Sequence, residues 1–290
     1  MKTPLFTGAC TALITPFLNR EVNYPMLEQL LRRQMDAGIE AVVICGTTGE
    51  SPTLSDSEKL ELFRCAKSYV GGQMKIIAGT GSNNTAHALS LSKAAESVGA
   101  DGLLIVTPYY NKATPAGLYA HYKTIAESVN IPIILYNVPG RTGVDIPVSV
   151  YKQLSCIPNI AGVKEASNDI TKITKIIASC GKNLPVWTGN DEMITPAMSL
   201  GASGVVSVIS NLVPEETQAL VRSALAGEFD IASALQIELQ PLAEALFLEV
   251  NPIPVKAAMK LIGYDCGSCR LPLTEISSEN LERLRHALLR

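Results

Sequence analysis

Residues 160–166 read Ile160-Ala161-Gly162-Val163-Lys164-Glu165-Ala166, a nearly apolar run that follows the turn Pro158-Asn159. The run predicts a buried β-strand with one lysine near its carboxyl end. Burial removes water from an amine and penalises the ammonium form, which favours the neutral amine that a nucleophile needs. From this strand alone, a lysine that pairs with a core carboxylate or reaches solvent is an equally good interpretation.

Eight apolar runs of this kind alternate with segments of helical periodicity. Runs that are apolar throughout indicate strands covered on both faces, as in a parallel sheet. The predicted strands are 12–14, 41–44, 76–78, 103–106, 133–136, 161–164, 186–188 and 204–208. Eight strand–helix units predict an α/β fold, the (β/α)8 or TIM barrel. A doubly wound sheet is the alternative, but it usually carries GxGxxG after its first strand, and that motif does not occur in the sequence.

Helices are predicted between the strands, and a helical segment is predicted after them. A capping box, Ser55 with Glu58 three residues later, marks the start of one helix. Glycines at 38, 99 and 201 fall where helices should end. After Gly227 the strand pattern stops, and three further helices are predicted at 229–247, 255–262 and 280–289. We therefore expect a catalytic barrel at residues 1–227 and a small C-terminal α-helical domain at residues 228–290.

Composition narrows the function classes. The chain has 290 residues and a formal net charge of -3 without a basic run, which argues against nucleic acid or anionic membrane as a partner. Its seven scattered cysteines suit reduced thiols, so we expect a cytoplasmic protein. Only three histidines are present, and the lone CxxC at Cys266 and Cys269 has no paired partner. We expect neither a metal nor another cofactor.

In such a barrel, chemistry takes place at the carboxyl ends of the strands. Here those ends are rich in hydroxyl groups. The second strand leads into Gly46-Thr47-Thr48-Gly49-Glu50-Ser51, a loop whose glycines and hydroxyls suit the binding of a small carboxylate. Taken alone, this segment is slightly more typical of an ordinary turn between a strand and a helix. The fourth leads into Tyr109-Tyr110, a pair more typical of an interface than of catalysis. No Lys or Arg follows strands seven and eight closely, which disfavours a phosphorylated substrate.

The fifth and sixth strands place a phenol beside the amine. By two-residue alternation, Tyr136 shares a face with Ile134, and Lys164 shares a face with Gly162. If both faces point inward, the missing side chain of Gly162 leaves room there. Glu165 then faces the helices as a structural ion-pair partner. Arg141, in a loop with Gly and Pro, suits a two-pronged bond to a carboxylate, although a solvated surface arginine is as good an interpretation.

Together these residues resemble the dihydrodipicolinate synthase family, part of the pyruvate-dependent class I aldolase superfamily that includes N-acetylneuraminate lyase. The resemblance covers essentially the whole chain, and its strength lies in the combination of motifs. The motifs are Gly46-Thr47-Thr48-Gly49-Glu50, Tyr109-Tyr110, Tyr136-Asn137-Val138-Pro139, Arg141-Thr142-Gly143, Gly162-Val163-Lys164-Glu165-Ala166 and Asn251-Pro252-Ile253-Pro254-Val255-Lys256.

The resemblance implies a lyase that condenses pyruvate with L-aspartate 4-semialdehyde through a Schiff base on Lys164, in lysine (diaminopimelate) biosynthesis. It implies that Tyr136 moves protons and that Thr48, with Thr47 alongside, links Tyr136 to Tyr110 of a neighbouring subunit. Three other residues would bind substrate: Arg141 holds the aldehyde's carboxylate, and Gly189 and Val206 lie near pyruvate. The family is usually a homotetramer, a dimer of dimers, with Tyr109 at an interface.

Two alternatives remain open. N-acetylneuraminate lyase and keto-sugar-acid aldolases share the lysine and the tyrosine, but they tend to lack an arginine matching Arg141, so the synthase is favoured. A barrel that serves only as a sensor or interaction module would not need Lys164, Tyr136 and two threonines at one rim.

A regulatory site departs from the family pattern. Family members inhibited by lysine bind it at the dimer interface, and Ser51, Asn83 and Tyr109 match that site. Asp56 and Lys59 stand in this sequence where those family members have histidines, and His87 stands where they have a glutamate. These changes remove an acidic partner for the effector's ammonium group and add a like charge, so we expect weak or absent inhibition by lysine.

Overall fold

The computed structural model describes residues 2–289, and it contains a closed barrel of eight parallel strands. Each barrel strand pairs with the next along the chain, and the last pairs with the first. A two-stranded antiparallel hairpin, β2–β3, follows the first strand. The strands are β1 (Gly8–Ala12), β2 (Phe17–Leu18), β3 (Glu21–Val22), β4 (Ala41–Ile44), β5 (Lys75–Gly79), β6 (Gly102–Val106), β7 (Ile133–Asn137), β8 (Ile160–Glu165), β9 (Val186–Thr188) and β10 (Gly204–Ser207).

Helices surround the barrel and continue after it. The helices are α1 (Tyr24–Asp36), α2 (Asp56–Val70), α3 (Thr85–Ser97), α4 (Pro115–Ala126), α5 (Pro139–Thr142), α6 (Val148–Leu154), α7 (Ile170–Cys180), α8 (Ile194–Ser199), α9 (Pro214–Leu225), α10 (Phe229–Ala245), α11 (Ile253–Leu261) and α12 (Ser278–Leu288). The last three form the predicted C-terminal helical region. Within residues 2–289, none of the helices combines the length and apolar character that crossing a bilayer requires.

The predicted fold class is confirmed, and most predicted strand boundaries lie within one residue of the observed ones. The first prediction is wrong in position, because β1 ends at Ala12 where the predicted run begins. Leu13 and Ile14 are buried but already belong to the segment that leaves the barrel. The hairpin β2–β3 was not predicted, since two-residue strands carry no periodic signal. The capping box at Ser55 and Glu58 is present.

Side chains of the barrel strands form two apolar layers, one inside the barrel and one between strands and helices. The inner layer includes Ile134, Tyr136, Val206 and Trp187. The rings of Phe6 and Trp187 stack at 4.7 Å between centroids. Large side chains therefore fill the interior, which is a packed core.

The C-terminal helical region is joined to the barrel by buried polar contacts at the loop after β4. Lys256, on α11, donates from Nζ to Glu50 Oε1 at 2.7 Å, and both side chains are almost fully buried. The backbone N–H of Arg270 donates to the other oxygen of Glu50 at 2.8 Å. Arg270 also pairs with Glu58 near the start of α2. The same loop carries Thr47 and Thr48, so these contacts fix a segment at the carboxyl end of the strands.

Candidate active site

Lys164 lies inside the barrel beside Tyr136. The two residues are register partners on β7 and β8, and both side chains lie on the inner face, as the alternation predicts. Lys164 is 5% exposed, and its Nζ lies 4.4 Å from the centroid of the Tyr136 ring. Among residues 2–289, no ion pair involves Lys164. A buried amine without an ion-pair partner among these residues is a candidate nucleophile.

The space around the lysine stem depends on Gly189, which follows β9. A Cβ atom at position 189 would lie 2.9 Å from Lys164 Cε and 2.7 Å from the Cβ of Ala166. The expectation that Gly162 leaves room beside the lysine is wrong. A Cβ there would meet the ring of Trp187 at 2.5 Å, so the indole already fills that space. Gly189 is therefore the glycine that accommodates Lys164.

Glu165 faces the helices, as predicted, but it is not an ion-pair partner among the described residues. Its carboxylate accepts hydrogen bonds from Asn137 Nδ2 at 2.8 Å and from the Tyr151 hydroxyl at 3.0 Å, and it also accepts from the Ser167 N–H. Burial raises the pKa of Glu165, and these hydrogen bonds oppose that shift. Lys172, the cation nearby, pairs with Asp145. The contacts hold β7 against β8 and fix the strand that carries Lys164.

A cavity of about 560 Å³ opens at the carboxyl ends of the strands, where the predicted site lies. Tyr136 lines the cavity and also contacts Lys164, whose Nζ lies 4.4 Å from the centroid of the tyrosine ring. Eight of the predicted site residues line it: Thr47, Ser51, Lys59, His87, Tyr109, Tyr110, Tyr136 and Arg141. The walls also contain Gly46, Gly79, Leu104, Val106 and Val138. A concave, mostly apolar cavity with a few polar groups is typical of a small-molecule site.

Among residues 2–289, no hydrogen bond joins Tyr136, Thr48 and Tyr110, so the predicted proton relay is not assembled within this chain. Thr48 is buried, and its Oγ1 accepts a hydrogen bond from Asn251 Nδ2 at 2.9 Å. Tyr110 lines the cavity but is 90% exposed, and its backbone is left-handed with φ of 69°. The relay from Tyr136 through Thr48 to Tyr110 stays a prediction, since it requires the ring to come from a second subunit.

Arg141 and Asn251 meet at the mouth of the site. Arg141, on α5, is exposed, and its Nη2 lies 3.5 Å from the backbone oxygen of Asn251. Within residues 2–289 this long hydrogen bond from Nη2 is the one polar contact of the guanidinium, so its other N–H groups are available for a carboxylate at the cavity. Val206 lies fully buried in the inner layer.

The residues predicted to form the effector site lie together on one side of the cavity. His87 Nε2 lies 2.8 Å from Asp56 Oδ2, and its Nδ1 lies 3.2 Å from Ser82 Oγ. Lys59 is largely buried, with its Nζ 3.9 Å from Asp56 Oδ1. Asn83, next to Ser82, accepts a hydrogen bond at its backbone oxygen from Asn111. The carboxylate of Asp56 is therefore already in contact with both His87 and Lys59.

Sequence reasoning did not assign a role to Asp191 or Asn251. The Oδ2 of Asp191 accepts from the backbone N–H groups of Val208 and Ile209, both at 2.9 Å, which shapes the turn after β10. Burial raises the pKa of Asp191. Asn251 lies beyond the last strand and reaches the site only through tertiary structure. Asn251 begins the last of the quoted motifs and Asp191 lies two residues after Gly189, and these positions were the available signals.

The closed barrel, the cavity at its carboxyl end and the unpaired lysine define the class of the protein: a (β/α)8 barrel enzyme whose buried lysine lies beside a tyrosine of the cavity wall. Comparison with known proteins gives the family. The model of the Dihydrodipicolinate synthetase family matches residues 5–290. The chain belongs to this family.

The similarity to relatives and to solved structures extends over nearly the full length of the chain. A 4-hydroxy-tetrahydrodipicolinate synthase of Acetivibrio thermocellus is 48% identical over 99% of this chain and 98% of its own length. One of Caldicellulosiruptor saccharolyticus is 47% identical, over 99% and 97%. The crystal structure of dihydrodipicolinate synthase from Aquifex aeolicus matches with a TM-score of 0.96 and 45% identity, covering 98% of this chain and 97% of that one.

Proposed function

We propose that this chain is a 4-hydroxy-tetrahydrodipicolinate synthase, which condenses pyruvate with L-aspartate 4-semialdehyde in lysine biosynthesis. Its family membership and full-length similarity to enzymes of that name support the proposal. The single structural observation that carries it is Lys164, buried beside Tyr136 and without an ionic partner among residues 2–289.

In the first half of the reaction, the neutral amine of Lys164 adds to the ketone carbon of pyruvate. The carbinolamine loses water with a proton that Tyr136 delivers, and a cationic imine forms. Loss of a methyl proton then gives an enamine, because the imine nitrogen accepts the electron pair. The apolar walls keep water from the imine.

In the second half, the enamine carbon attacks the aldehyde carbon of the second substrate. Arg141 at the cavity mouth suits that substrate's carboxylate, since a guanidinium can donate two parallel hydrogen bonds. The substrate's own amino group then attacks the imine carbon, displaces Lys164 and closes the ring. No metal or other cofactor is part of this scheme, because the imine itself serves as the electron sink. Turnover that persists after exhaustive EDTA treatment is the expected result.

The test is borohydride reduction in the presence of pyruvate, followed by intact-mass measurement and peptide mapping. The added mass should map to Lys164. Lys256 is a matched internal control, since it is equally buried but paired, and its peptide should stay unmodified. Lys164→Ala should abolish trapping. Trapping that survives in this variant would show that the Schiff base forms elsewhere. Turnover with N-acetylmannosamine faster than with L-aspartate 4-semialdehyde would reassign the substrate.

We further propose a homotetramer in the cytoplasm. The exposed Tyr110 supports association, because its ring has no place in its own chain's relay. One structural relative is described as the first monomeric dihydrodipicolinate synthase variant. The seven cysteines are free thiols, which suits a reducing compartment. Light scattering with size-exclusion chromatography measures the mass directly, and a monomer active at high dilution would contradict the shared relay.

Regulation by lysine is expected to be weak or absent. In the proposed effector site, Lys59 and His87 both contact Asp56. The ammonium group of a lysine effector would therefore be repelled by the charge of Lys59, and the carboxylate of Asp56 is already engaged by both neighbours. Steady-state assays with added L-lysine test this expectation. Sub-millimolar inhibition would contradict it.

A further inference from the structure

We propose that Lys59 forms a second anion site in the cavity, which binds a small carboxylate in addition to the proposed substrates. Lys59 lies near the start of α2, and its side chain lines the cavity. The inference goes beyond the proposed function, because it assigns a ligand class to the residues that resemble an effector site and does not depend on a Schiff base at Lys164.

The first argument is a buried ammonium group without a hydrogen bond. Lys59 is 7% exposed, and an ammonium group has three hydrogens to donate. Within residues 2–289 its Nζ donates no hydrogen bond, and its ion-pair contact, Asp56 Oδ1, lies 3.9 Å away, beyond hydrogen-bonding distance. Lys172 and Lys256 are similarly buried, but both donate directly to carboxylates. Lys59 therefore lacks an acceptor, and the cavity is the open space beside it.

The second argument is the charge of the cavity wall. Lys59, Arg141 and His87 line the cavity, whereas none of the described aspartates or glutamates does. Asp56 contacts both Lys59 and His87, but it is exposed and is not part of the wall. A ligand inside the cavity therefore faces positive charge that no acidic side chain of the wall offsets, and this favours anions over cations.

The third argument is the position of Lys59 in its helix. It lies in the first turn of α2, where the partial positive charge of the helix end disfavours a cation. Burying the ammonium group there adds a desolvation cost. A residue that breaks a local rule without a compensating contact within the fold is typical of a functional position. A bound anion would offset both costs.

The neighbouring donors suit a carboxylate. His87 lies 2.8 Å from Asp56 and 3.2 Å from Ser82 Oγ, so the side of the cavity near Lys59 includes Ser82. The backbone N–H groups of Gly81 and Ser82, which also line the cavity, donate no hydrogen bond within the described part of the chain. One ammonium group with neutral donors matches the single charge of a carboxylate better than the charge of about two on a phosphate group.

The test uses enzyme in which Lys164 is already blocked. Borohydride reduction with pyruvate leaves a stable adduct on Lys164, so the proposed pyruvate site is filled. Sodium butyrate is the probe, because it has no ketone and cannot form an imine. Isothermal titration calorimetry should give a Kd of about 1–10 mM for so small a ligand, and the neutral amide butyramide should not bind. Absence of butyrate binding, or equal binding of butyramide, would overturn the proposal.

Variants of two lysines on α2 locate the site. Lys59→Met should weaken butyrate binding at least about tenfold, since it removes the charged donor, and Lys59→Arg should retain binding. Lys67→Met is the matched control, because it removes the same charge from the same helix, where Lys67 pairs with Asp101 at 2.7 Å. Its Kd should equal that of wild type. Lys59→Gln replaces Lys59→Met if that variant does not fold. Undiminished binding in either folded variant would overturn the proposal.

Two further comparisons identify the source of the carboxylate. Free pyruvate that binds the blocked enzyme more tightly than butyrate would make the reaction's own substrate the ligand, and the reverse order would indicate a separate metabolite. Either order supports the site. Butyrate binding that disappears on blocking would overturn it, because the anion would then occupy the substrate site. Inorganic phosphate that binds more tightly than butyrate would also overturn it.

The outcome is separable from that of the proposed function. If borohydride and pyruvate leave wild type unmodified, the proposed function fails. The titrations can still be made on the unmodified enzyme, and the comparison of Lys59→Met with Lys67→Met still tests the anion site.

Discussion

Two buried lysines occupy opposite electrostatic settings. Lys256 is 4% exposed and contacts the carboxylate of Glu50 at 2.7 Å, whereas Lys164 is 5% exposed and has no ionic partner among residues 2–289. Burial is therefore the same for both, and the counter-charge is what differs. Glu50 holds Lys256 in a structural ion pair, whereas the amine of Lys164 has no such partner and is the candidate nucleophile. The comparison teaches that the missing partner, more than the burial, marks the reactive residue.

The largest expected effect comes from Lys164→Met. Turnover should fall at least about a thousandfold, because the residue forms the covalent bond on which every step depends. The Tm should not fall, since the replacement removes a buried amine that no ion pair stabilises. Steady-state assays and calorimetry measure the two quantities. A large loss of Tm would mean that Lys164 has a structural partner.

Lys256→Met tests the paired lysine. The change leaves Glu50 as a buried carboxylate without its cation, which should lower the free energy of unfolding by about 3–5 kcal/mol. Urea denaturation measures this loss, and pyruvate trapping should persist in the folded enzyme. Adding Glu50→Gln should restore part of the stability, because it removes the unpaired charge. Loss of trapping in a fully folded Lys256→Met enzyme would erase the distinction between the two lysines.

Gly189→Ala tests the geometry around the unpaired lysine. The new Cβ would lie 2.9 Å from Lys164 Cε, so the stem must move and the amine with it. We expect the rate of pyruvate trapping to fall about tenfold to a hundredfold, since a small misplacement of a reacting atom is enough for that. Gly117→Ala on α4 is the matched control. A Cβ there makes only ordinary contacts, the nearest at 3.4 Å, so trapping should not change.

The smallest effect concerns the second ion pair that joins the C-terminal region to the barrel. The hydrogen bond from Arg270 lowers the pKa of Glu58 to about 2 from the ordinary value of 4.5. The carboxylate therefore contributes stability above about pH 4.5, and this contribution is lost as the pH falls towards about 2. The Tm of wild type should exceed that of Glu58→Gln at pH 6, and the difference should shrink towards pH 2. A difference independent of pH would contradict this ion pair.

The structure could be predicted from the sequence wherever a local pattern of apolar and polar residues determines it. Apolar runs predicted eight strands, and alternation along β7 and β8 placed Tyr136 beside Lys164, because backbone pleating fixes which side chains share a face. The same reasoning failed at Gly162. It describes which way a residue points, but the indole of Trp187, on the neighbouring strand, decides whether the space is empty.

Contacts between distant segments could not be predicted. The partner of Thr48 is Asn251, and the partner of Glu50 is Lys256, each about two hundred positions away. The strand pattern ends with the barrel, and a helical pattern in the sequence does not determine how the last helices pack against it. By contrast, four residues that the resemblance groups as an effector site, Ser51, Lys59, His87 and Tyr109, line the same cavity, and their role stays a prediction.

The loop after β4 is held at two positions by the C-terminal region, at Thr48 through Asn251 and at Glu50 through Lys256 and the backbone of Arg270. An engineer who grafts this loop onto another barrel would therefore have to move the tail with it. For the same reason, a protease cut just ahead of α11 should silence the enzyme while the barrel is still folded.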